Sequence, residues 1–283
     1  MPDVAYLNGK FMPLRAARVP VMDRGFLFGD GVYEVIRATG LRPFLVDEHL
    51  RRLQSSARML ELACPPNALL RRVIREILRR CRYERSYVYI EVTRGVTYPR
   101  KHHYPPEDTP PTVLVAGWAM GPERPEDFVR GVSCITVEDF RWGRCDIKSV
   151  NLLPNCMGKE AARRRGAAEA IFVRNGLLIE GGSSSILVVR RGRLLMPRLG
   201  QEILPSLTRA LVLKIAKRRR IPAVIRPVTV REMFAADEVI IASTTAEGVP
   251  VVKIDGRRIG SGRPGPVAAV LHEEIVRARE GRR

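Results

Sequence analysis

The sequence lacks the features that mark membrane-spanning and secreted proteins. No apolar run approaches the roughly 20 residues that a membrane-spanning helix needs. The first residues, MPDVAYLNG, contain no charged region followed by an apolar stretch, which is the pattern of a secretory signal peptide. We therefore expect no membrane partner and a cytoplasmic location.

Cysteine and histidine are scarce, and neither is spaced for a structural role. The five cysteines are odd in number and scattered, with no C-x-x-C pair. We therefore expect reduced thiols, and neither a disulfide framework nor a zinc site. The four histidines show no metal-ligand spacing, so we expect no metal. The cysteines are Cys64, Cys81, Cys134, Cys145 and Cys156.

Lysine is rare although the chain is strongly basic. Of the 49 lysine and arginine residues only seven are lysines, and the formal net charge is +19. The arginines are dispersed over predicted helix faces, without interleaved aromatic residues or a recognisable nucleic-acid motif. We interpret the charge as a solvated basic surface and predict no specific nucleic-acid partner. A basic nucleic-acid-binding protein stays as the alternative from another functional class.

The chain does have ample length and a mixture of strands and helices. Its 283 residues suffice for one large or two medium domains. Residues 121–130, GPERPEDFVR, combine proline, glycine and charge and are predicted as a linker. This linker separates a small N-terminal domain, residues 1–120, from a larger C-terminal domain, residues 131–283. Both parts mix strands with helices, which predicts an α/β (α+β) enzyme with a cleft between its domains.

Apolar residues at helical spacing predict three helices that bear on the site. In chain order they are residues 47–62, capped by Asp47, with Leu50, Leu53 and Ala57 inward; residues 152–165, with Leu153, Met157 and Ala161 four residues apart; and residues 206–220, capped by Ser206, with Leu207, Leu211 and Ile215 on one face. Asn8-Gly9 predicts a hairpin turn. A proline-rich loop over residues 95–111 is predicted to be either functional or disordered.

Lys148 stands out among the seven lysines by its position. It lies in FRWGRCDIKSVNLL, residues 140–153, between a predicted strand at 131–140 and the helix at 152–165. Its neighbours are three apolar residues and two cations, Trp142, Cys145, Ile147, Arg141 and Arg144. Partial burial and nearby positive charge both favour the neutral amine, which is the nucleophile towards carbonyl groups. From the residues alone, an ordinary surface lysine is the alternative.

The same segment carries a resemblance to a known family. The motif D-I-K-S-V-N-L-L, preceded by R-W-x-R-C, resembles the lysine segment of class IV (fold type IV) pyridoxal-phosphate aminotransferases, and most of all that of the D-amino-acid aminotransferases. The likeness runs from Leu7 to about Asp255. It implies a fold type IV enzyme with two mixed α/β domains and the cofactor, pyridoxal 5′-phosphate, in the interdomain cleft. It also implies that Lys148 is the Schiff-base lysine.

The resemblance extends to the rest of a cofactor site. Glu180 in IEGGSSS matches the acid that faces the pyridine nitrogen and keeps it protonated. The family motif is similar to E-G-S-S-S-N, so this chain departs from it at Gly182 and Ser185. A helix N-terminus and hydroxyl groups suit a phosphate. The residues that match family phosphate positions are Ser206, Leu207, Thr208, Ser243, Thr244, Thr245 and Arg52, and Leu204 matches the residue that packs on the cofactor ring.

A basic pair in the proline-rich loop is the candidate grip on the substrate carboxylate. Arg100 and His102, in YPRKHHYP, are two residues apart and face the same way in an extended chain. Tyr33, in FGDGVYE, is predicted to complete the substrate pocket. In the D-amino-acid aminotransferases a matching Arg-x-His pair reaches the neighbouring subunit's site, so the resemblance implies a homodimer.

The resemblance implies transamination between D-amino acids, of the D-alanine and D-glutamate type, and 2-oxo acids. Lys148 would take the proton from the substrate's α-carbon and return it to the cofactor. The runner-up is a branched-chain L-amino-acid aminotransferase, whose strand typically reads F-E-G-I-R where this chain has Tyr33-Glu34-Val35-Ile36-Arg37. Aminodeoxychorismate lyase and (R)-amine transaminase, of the same fold, are further alternatives.

Overall fold

A computed structural model describes residues 3–281, which form two compact units. The first unit runs up to Gly121 and also contains Ile147–Asn151. The second comprises Pro122–Asp146 and the chain from Leu152 onwards. The segment 121–130, predicted as a linker, contains a short helix at Pro125–Arg130.

The first unit is built on one antiparallel sheet. Its elements are β1 (Val4–Leu7), β2 (Lys10–Pro13), α1 (Arg24–Phe28), β3 (Gly31–Thr39), β4 (Arg42–Pro43), α2 (Val46–Met59), α3 (Asn67–Cys81), β5 (Arg85–Thr93) and β6 (Thr112–Ala119). The six strands are ordered β2-β1-β6-β5-β3-β4. Asn8 and Gly9 both have positive φ, 46° and 95°, and close the predicted β1–β2 hairpin.

The helices α2 and α3 bury their apolar faces against this sheet. Leu50, Leu53 and Ala57 of α2 are at most 1% exposed, which confirms the predicted inward face. Burying each such leucine contributes about 1.5–3 kcal/mol. The predicted cap was wrong: α2 begins at Val46, and the capping position is Leu45, which makes no side-chain cap. Asp47 instead lies in the first turn and pairs with Arg71.

The second unit is built on a larger, mixed sheet. Its elements are α4 (Pro125–Arg130), β7 (Val132–Glu138), α5 (Leu153–Arg164), β8 (Glu169–Arg174), β9 (Leu177–Gly181), β10 (Ser185–Arg190), β11 (Arg193–Met196), α6 (Leu207–Arg218), β12 (Ala223–Ile225), α7 (Val230–Phe234), β13 (Glu238–Ala242), β14 (Glu247–Ile254), β15 (Arg257–Arg258) and α8 (Pro266–Glu280). The sheet order is β12-β11-β10-β13-β14-β7-β8-β9, with β15 on β14. Strand β7 pairs in parallel with both β14 and β8. Both units thus have the predicted α/β composition.

The apolar spacing of α5 does not mark its buried face. Leu153 and Met157 are 72% and 54% exposed, whereas Gly158 and Ala162 are buried. A Cβ at Gly158 would stand 3.0 Å from the ring of Phe172, so only small residues fit on this face. The face of α6 was also partly wrong. Ile215 is buried as predicted, but its buried neighbours are Val212 and Ala216, and Leu207 and Leu211 are only partly buried.

All five cysteines are free thiols. Cys156 is exposed, and the other four are buried or partly buried. Burial raises the pKa of Cys64 to about 12 and that of Cys145 to about 11. Burial also raises the thiol pKa of Cys81 and Cys134. Over residues 3–281, no group of three His, Cys, Asp or Glu residues is arranged to hold a metal ion. No helix in that range is long and apolar enough to cross a membrane.

Candidate active site

The backbone around Lys148 is held on two sides within the first unit. Tyr33 donates its amide N–H to the Lys148 carbonyl (3.0 Å), and Val150 donates to the Gly31 carbonyl (3.1 Å). The Lys148 amide donates to Oγ of Ser56 in α2 (3.0 Å). The Lys148 side chain is half-buried, with Nζ 4.2 Å from the centre of the Tyr33 ring. Two of the predicted site residues, Lys148 and Tyr33, therefore lie together.

Strand alternation extends this face of the sheet with residues that the sequence analysis did not single out. Tyr33 is opposite Glu91 on β5, and its ring lies 5.8 Å from that of Tyr89, which in turn lies 6.1 Å from Trp118. Tyr89 donates its hydroxyl to Glu91 (2.6 Å). Burial raises the pKa of both Tyr89 and Glu91. The alternation of Tyr87, Tyr89 and Glu91 in SYVYIEV could have predicted that these residues share one face of the strand.

Arg52, a predicted phosphate ligand, lies against the opposite face of β3, where it binds Glu34. Its Nε and Nη2 donate to the two carboxylate oxygens at 2.7 and 2.9 Å. Nδ1 of His49, one helical turn earlier on α2, is 2.7 Å from the same carboxylate. Burial alone would raise the pKa of Glu34, but the charge of Arg52 and the hydrogen bonds from Arg52 and His49 lower it to about 2.

This buried pair sets an expected dependence of stability on pH. The pKa of Glu34 is lower in the folded protein than the roughly 4.3 of an unfolded chain. Its ionisation therefore stabilises the fold above about pH 4.3, and this contribution, about 3 kcal/mol, is lost as the pH falls towards 2. We expect Glu34→Gln to lower the free energy of unfolding by a few kcal/mol at pH 7, with the deficit shrinking below pH 4. Urea denaturation across pH measures this.

Glu76→Gln is the matched control for that experiment. The side-chain hydrogen bonds from Arg79 and Arg80 also lower the pKa of Glu76 to about 2, but they do so at the protein surface. Exposed ion pairs contribute little because water screens them. The control should therefore match the wild type at every pH. An equal acid sensitivity of the two variants would contradict the role given to burial at Glu34.

Glu180 is the last but one residue of β9 in the second unit and accepts two hydrogen bonds through its carboxyl oxygens. Nη1 of Arg141 donates to its Oε1 at 2.5 Å, and the backbone N–H of Leu204 donates to its Oε2 at 3.2 Å. Arg141 also donates twice to Asp139, at 2.9 and 3.0 Å. Burial would lower the pKa of Arg141, but Asp139 and Glu180 raise it, so the guanidinium stays charged. The structure thus brings Glu180 and Leu204 together.

The two cations expected to act on Lys148 are both paired with carboxylates. Arg141 binds Asp139 and Glu180, as described above. Arg144 donates to both oxygens of Asp146, at 3.0 and 3.1 Å. Carboxylates therefore balance both charges locally, and the predicted effect of these arginines on the Lys148 amine stays a prediction.

The serine loop that follows Glu180 is fixed by Glu169. Ser183 and Ser184 donate their hydroxyls to Oε2 of Glu169 at 3.1 and 2.9 Å. Gly182 is explained by crowding, because a Cβ there would stand 3.0 Å from Glu169 Oε1 and 3.1 Å from the Lys159 side chain. Ser185 is the other departure from the family motif. Its hydroxyl is buried without a hydrogen bond in the described chain, which is unfavourable for stability.

The predicted phosphate residues of the second unit stand at a helix start and after a strand end. Ser206 caps α6 by accepting from Arg209 N (3.2 Å), as predicted, so Leu207 and Thr208 provide the helix's first amides. Ser243 follows β13 and accepts from the amides of Thr245 and Ala246, which leaves Thr244 at the tip of the turn. Strand β13 and helix α6 share one apolar core.

Arg100 and His102 flank Lys101 in the chain and contact the same aromatic ring. The Arg100 guanidinium is 4.4 Å from the centre of the Phe28 ring, and the His102 ring is 5.5 Å from it. The structure therefore confirms that these two side chains face the same way. Tyr33 lies instead beside Lys148 and Tyr89. Its predicted place in one pocket with Arg100 and His102 stays a prediction.

Comparison with known protein families identifies the family of this chain. A family model described as amino-transferase class IV matches residues 31–254, which is most of the chain. The chain belongs to the class IV aminotransferases. This confirms the enzyme class, and with it the fold type IV architecture and the cofactor, pyridoxal 5′-phosphate, predicted from the lysine segment.

Class IV relatives match along nearly the whole chain. The D-alanine aminotransferase of Staphylococcus haemolyticus is 39% identical over 280 residues, 98% of each chain. That of Bacillus licheniformis is 41% identical over 261 residues, 92% of this chain and 91% of the relative. Among solved structures, the branched-chain aminotransferase of Thermoproteus uzoniensis with norvaline has a TM-score of 0.85 at 28% identity, covering 99% of this chain and 95% of the other.

The residues present fit the class IV cofactor chemically. The first unit supplies a half-buried lysine amine. The second supplies the carboxyl group of Glu180, the first amides of α6 and hydroxyls after β13. Nη2 of Arg209, at the start of α6, is buried without a hydrogen bond in the described chain, so this helix end has donor capacity to spare. A phosphate is the kind of group that such donors bind.

Proposed function

We propose that this class IV aminotransferase moves amino groups between D-amino acids, of the D-alanine and D-glutamate type, and 2-oxo acids. The observation that carries the proposal is the pairing of Arg100 and His102 on the Phe28 ring. A cation and an imidazole side by side suit a carboxylate, which accepts several charge-assisted hydrogen bonds. The relatives named D-alanine aminotransferase, at 38–41% identity over nearly the full length, support the same substrate class.

Each predicted site residue then has a role in this proposal. When bound, the cofactor supplies an electron sink that loosens the substrate's α-hydrogen. Lys148 would hold the cofactor through its amine; once the substrate's amine has displaced it, the freed amine would take the proton from the substrate's α-carbon and return it on the cofactor side. Glu180 would keep the pyridine nitrogen protonated, and Tyr33 would orient the substrate beside the lysine. The residues proposed to hold the phosphate are Arg52, Ser206, Leu207, Thr208, Ser243, Thr244 and Thr245, and Leu204 would pack on the cofactor ring.

The acid–base role of Lys148 follows from its surroundings. Its backbone is fixed by hydrogen bonds to Tyr33 and Ser56, so only the side chain is left to move. Its Nζ lies 4.2 Å from the centre of the Tyr33 ring, whose face attracts an ammonium group. A residue that carries a proton between two carbons needs its nitrogen at a defined position, and these contacts support that role for Lys148.

Branched-chain L-amino-acid transamination is the second candidate. The solved structures of the branched-chain aminotransferases from Thermoproteus uzoniensis and Escherichia coli superpose with TM-scores of 0.85 and 0.88, the latter at 25% identity. The F-E-G-I-R comparison does not favour it, because Ile36 is in the core and Arg37 is buried. Initial rates on D-alanine and L-leucine with 2-oxoglutarate, and on D-glutamate with pyruvate, separate the two candidates. A wild-type preference for L-leucine would reject the D-specific proposal.

We further propose that the protein is a cytoplasmic homodimer. Val21, Phe26 and Tyr98 are 71%, 76% and 84% exposed. Their segments are joined by the hydrogen bond from Thr97 N to Met22 O, and exposed apolar side chains in neighbouring segments support an interface there. Five free thiols agree with a reducing compartment. Sedimentation equilibrium tests the assembly, and a monomer at micromolar concentration would reject it.

Arg100→Ala should impair D-alanine strongly and spare an amine that has no carboxylate. Removing a charge-assisted partner costs roughly 1.5–3 kcal/mol, which corresponds to about a tenfold to hundredfold loss in kcat/KM. (R)-1-phenylethylamine, which lacks the carboxylate, should react at the wild-type rate in the same variant. The measurement is the single-turnover rate of wild-type and variant holoenzyme with each donor alone, because a 2-oxo acid acceptor also carries a carboxylate.

The neighbouring Lys101→Ala is the control, since it removes an exposed charge from the same loop. It should leave both donors unaffected. Unchanged D-alanine kinetics in Arg100→Ala would remove Arg100 from the substrate site.

A preparation with the absorbance of bound cofactor and no salt-sensitive DNA binding would exclude the nucleic-acid alternative.

A further inference from the structure

Arg24 is a buried arginine whose side chain ends among main-chain carbonyls of the proline-rich loop. Its Nη1 donates to the carbonyls of Lys101 (2.8 Å) and His103 (3.3 Å), and its Nη2 donates to that of His102 (3.3 Å). Its Nε donates to Oδ2 of Asp30 at 2.7 Å. One guanidinium thus ties three consecutive peptide groups to a carboxylate.

A second arginine completes the anchor from the other side. Nε of Arg94 donates to both oxygens of Asp30, at 3.1 and 2.9 Å, and its other nitrogens donate to the carbonyls of Glu61 and Leu60. The Arg94 guanidinium also lies 3.6 Å from the centre of the Tyr104 ring. Two cations share one carboxylate here, with side chains at most 10% exposed. The carbonyl oxygens supply the remaining negative partial charge that such burial requires.

The anchor acts on the residues that the proposed function needs. The three clamped carbonyls belong to residues 101–103, so the backbone on both sides of His102 is fixed, and Arg100 is directly next to it. Phe28, in the same short helix as Arg24, provides the ring on which Arg100 and His102 rest. The direction of these two side chains is therefore determined by α1.

We propose that Arg24, oriented by Asp30, is a positioning residue that holds Arg100 and His102 in the geometry for recognising the substrate carboxylate. This inference rests on the proposed function, in which Arg100 and His102 bind that carboxylate. Arg24 makes no contact with substrate in this scheme; it acts through the loop backbone. An error of about 1 Å in such a binding group is enough to cost a large factor in rate.

The planar guanidinium explains why this position requires arginine. It presents five N–H donors in a fixed fork, and here they reach one carboxylate and three carbonyls at once. A lysine keeps the charge, but it has a single nitrogen with three donors and cannot span both groups. Arg24→Lys should therefore keep the ion pair with Asp30 and release the loop.

Kinetics of the holoenzyme test the positioning role. We expect Arg24→Lys to raise KM for D-alanine about tenfold and to change kcat by less than about twofold. In an Arg100→Ala background the same substitution should have a clearly smaller effect, because only the part that acts through His102 remains. Arg79→Lys is the matched control, since Arg79 also grips a carboxylate, that of Glu76, but at the surface of α3. It should behave as the wild type.

Trypsin gives a readout that does not depend on the reaction. To cut after Lys101, a serine protease must bind the Lys101 carbonyl oxygen in its own oxyanion hole, and Arg24 occupies that oxygen. Cleavage at this bond, followed by mass spectrometry, should be about tenfold faster in Arg24→Lys and in Asp30→Asn than in the wild type and in Arg79→Lys. Asp30→Asn provides the test should Arg24→Lys fail to fold.

The two readouts separate the inference from the proposed function. If cleavage after Lys101 is faster in the variants but the wild type is inactive on D-alanine, Arg24 does anchor the loop and the proposed substrate is rejected. An active wild type, impaired by Arg100→Ala but not by Arg24→Lys, would overturn the positioning role, as would unchanged cleavage after Lys101. Additive effects of the two substitutions on kcat/KM would also overturn it.

Discussion

Lys148→Ala is expected to abolish transamination, with a loss of at least about 10³-fold, because this residue is proposed to carry both the covalent link and the proton. The fold should survive, since the backbone contacts of Lys148 with Tyr33 and Ser56 involve main-chain atoms that alanine keeps. Borohydride reduction of the wild-type holoenzyme, followed by peptide mapping, should place the pyridoxyl group on Lys148.

Lys217→Ala is the control for that result, because Lys217 lies in the last turn of α6 and is exposed. This variant should retain full activity, and borohydride reduction should still place the pyridoxyl group on Lys148. Partial rescue of Lys148→Ala by added methylamine would show that the missing amine, and not a change in fold, causes the loss. A pyridoxyl group on any other lysine would reject the assignment.

Glu180→Gln should lower kcat by about tenfold to hundredfold while the protein still binds its cofactor. A neutral amide no longer holds a proton on the pyridine nitrogen, and a charge-assisted bond of this kind is worth roughly 1.5–3 kcal/mol. Folding should be retained because Arg141 keeps both hydrogen bonds to Asp139. Single-turnover kinetics with D-alanine, monitored by cofactor absorbance, measure the step directly.

Glu202→Gln is the matched control, since Glu202 contributes its backbone carbonyl to Arg141 at 3.0 Å and a substitution there leaves that carbonyl in place. Its turnover should equal that of the wild type. Near-normal turnover in Glu180→Gln would mean that another group holds the nitrogen.

Local features were predictable from the sequence because they depend on neighbours in the chain. The Asn8-Gly9 turn, the Ser206 cap and the common direction of Arg100 and His102 all follow from residues a few positions apart. The family itself was predictable from the lysine segment, and the class IV match confirms it. These features need no knowledge of what packs against them.

Features that depend on distant partners were not predictable. Arg52 pairs with Glu34, and Arg24 reaches carbonyls more than 70 positions away. The buried face of α5 is set by Phe172, which accepts only small residues such as Gly158 against it. An apolar pattern scores Leu153 and Met157 above glycine, so it selects the wrong face whenever close approach of the partner decides the packing.

Protein chains are made from the N-terminus, and domains generally fold as units during synthesis. The first compact unit cannot be completed in this order, because Ile147–Asn151 is translated only after Pro122–Asp146. Until then the Gly31 and Tyr33 positions of β3 lack the backbone partners that Val150 and Lys148 provide. A ribosome-bound chain that ends before residue 147 therefore contains every strand of that sheet but not Lys148. The lysine segment joins the first unit only after the rest of that unit has been synthesised.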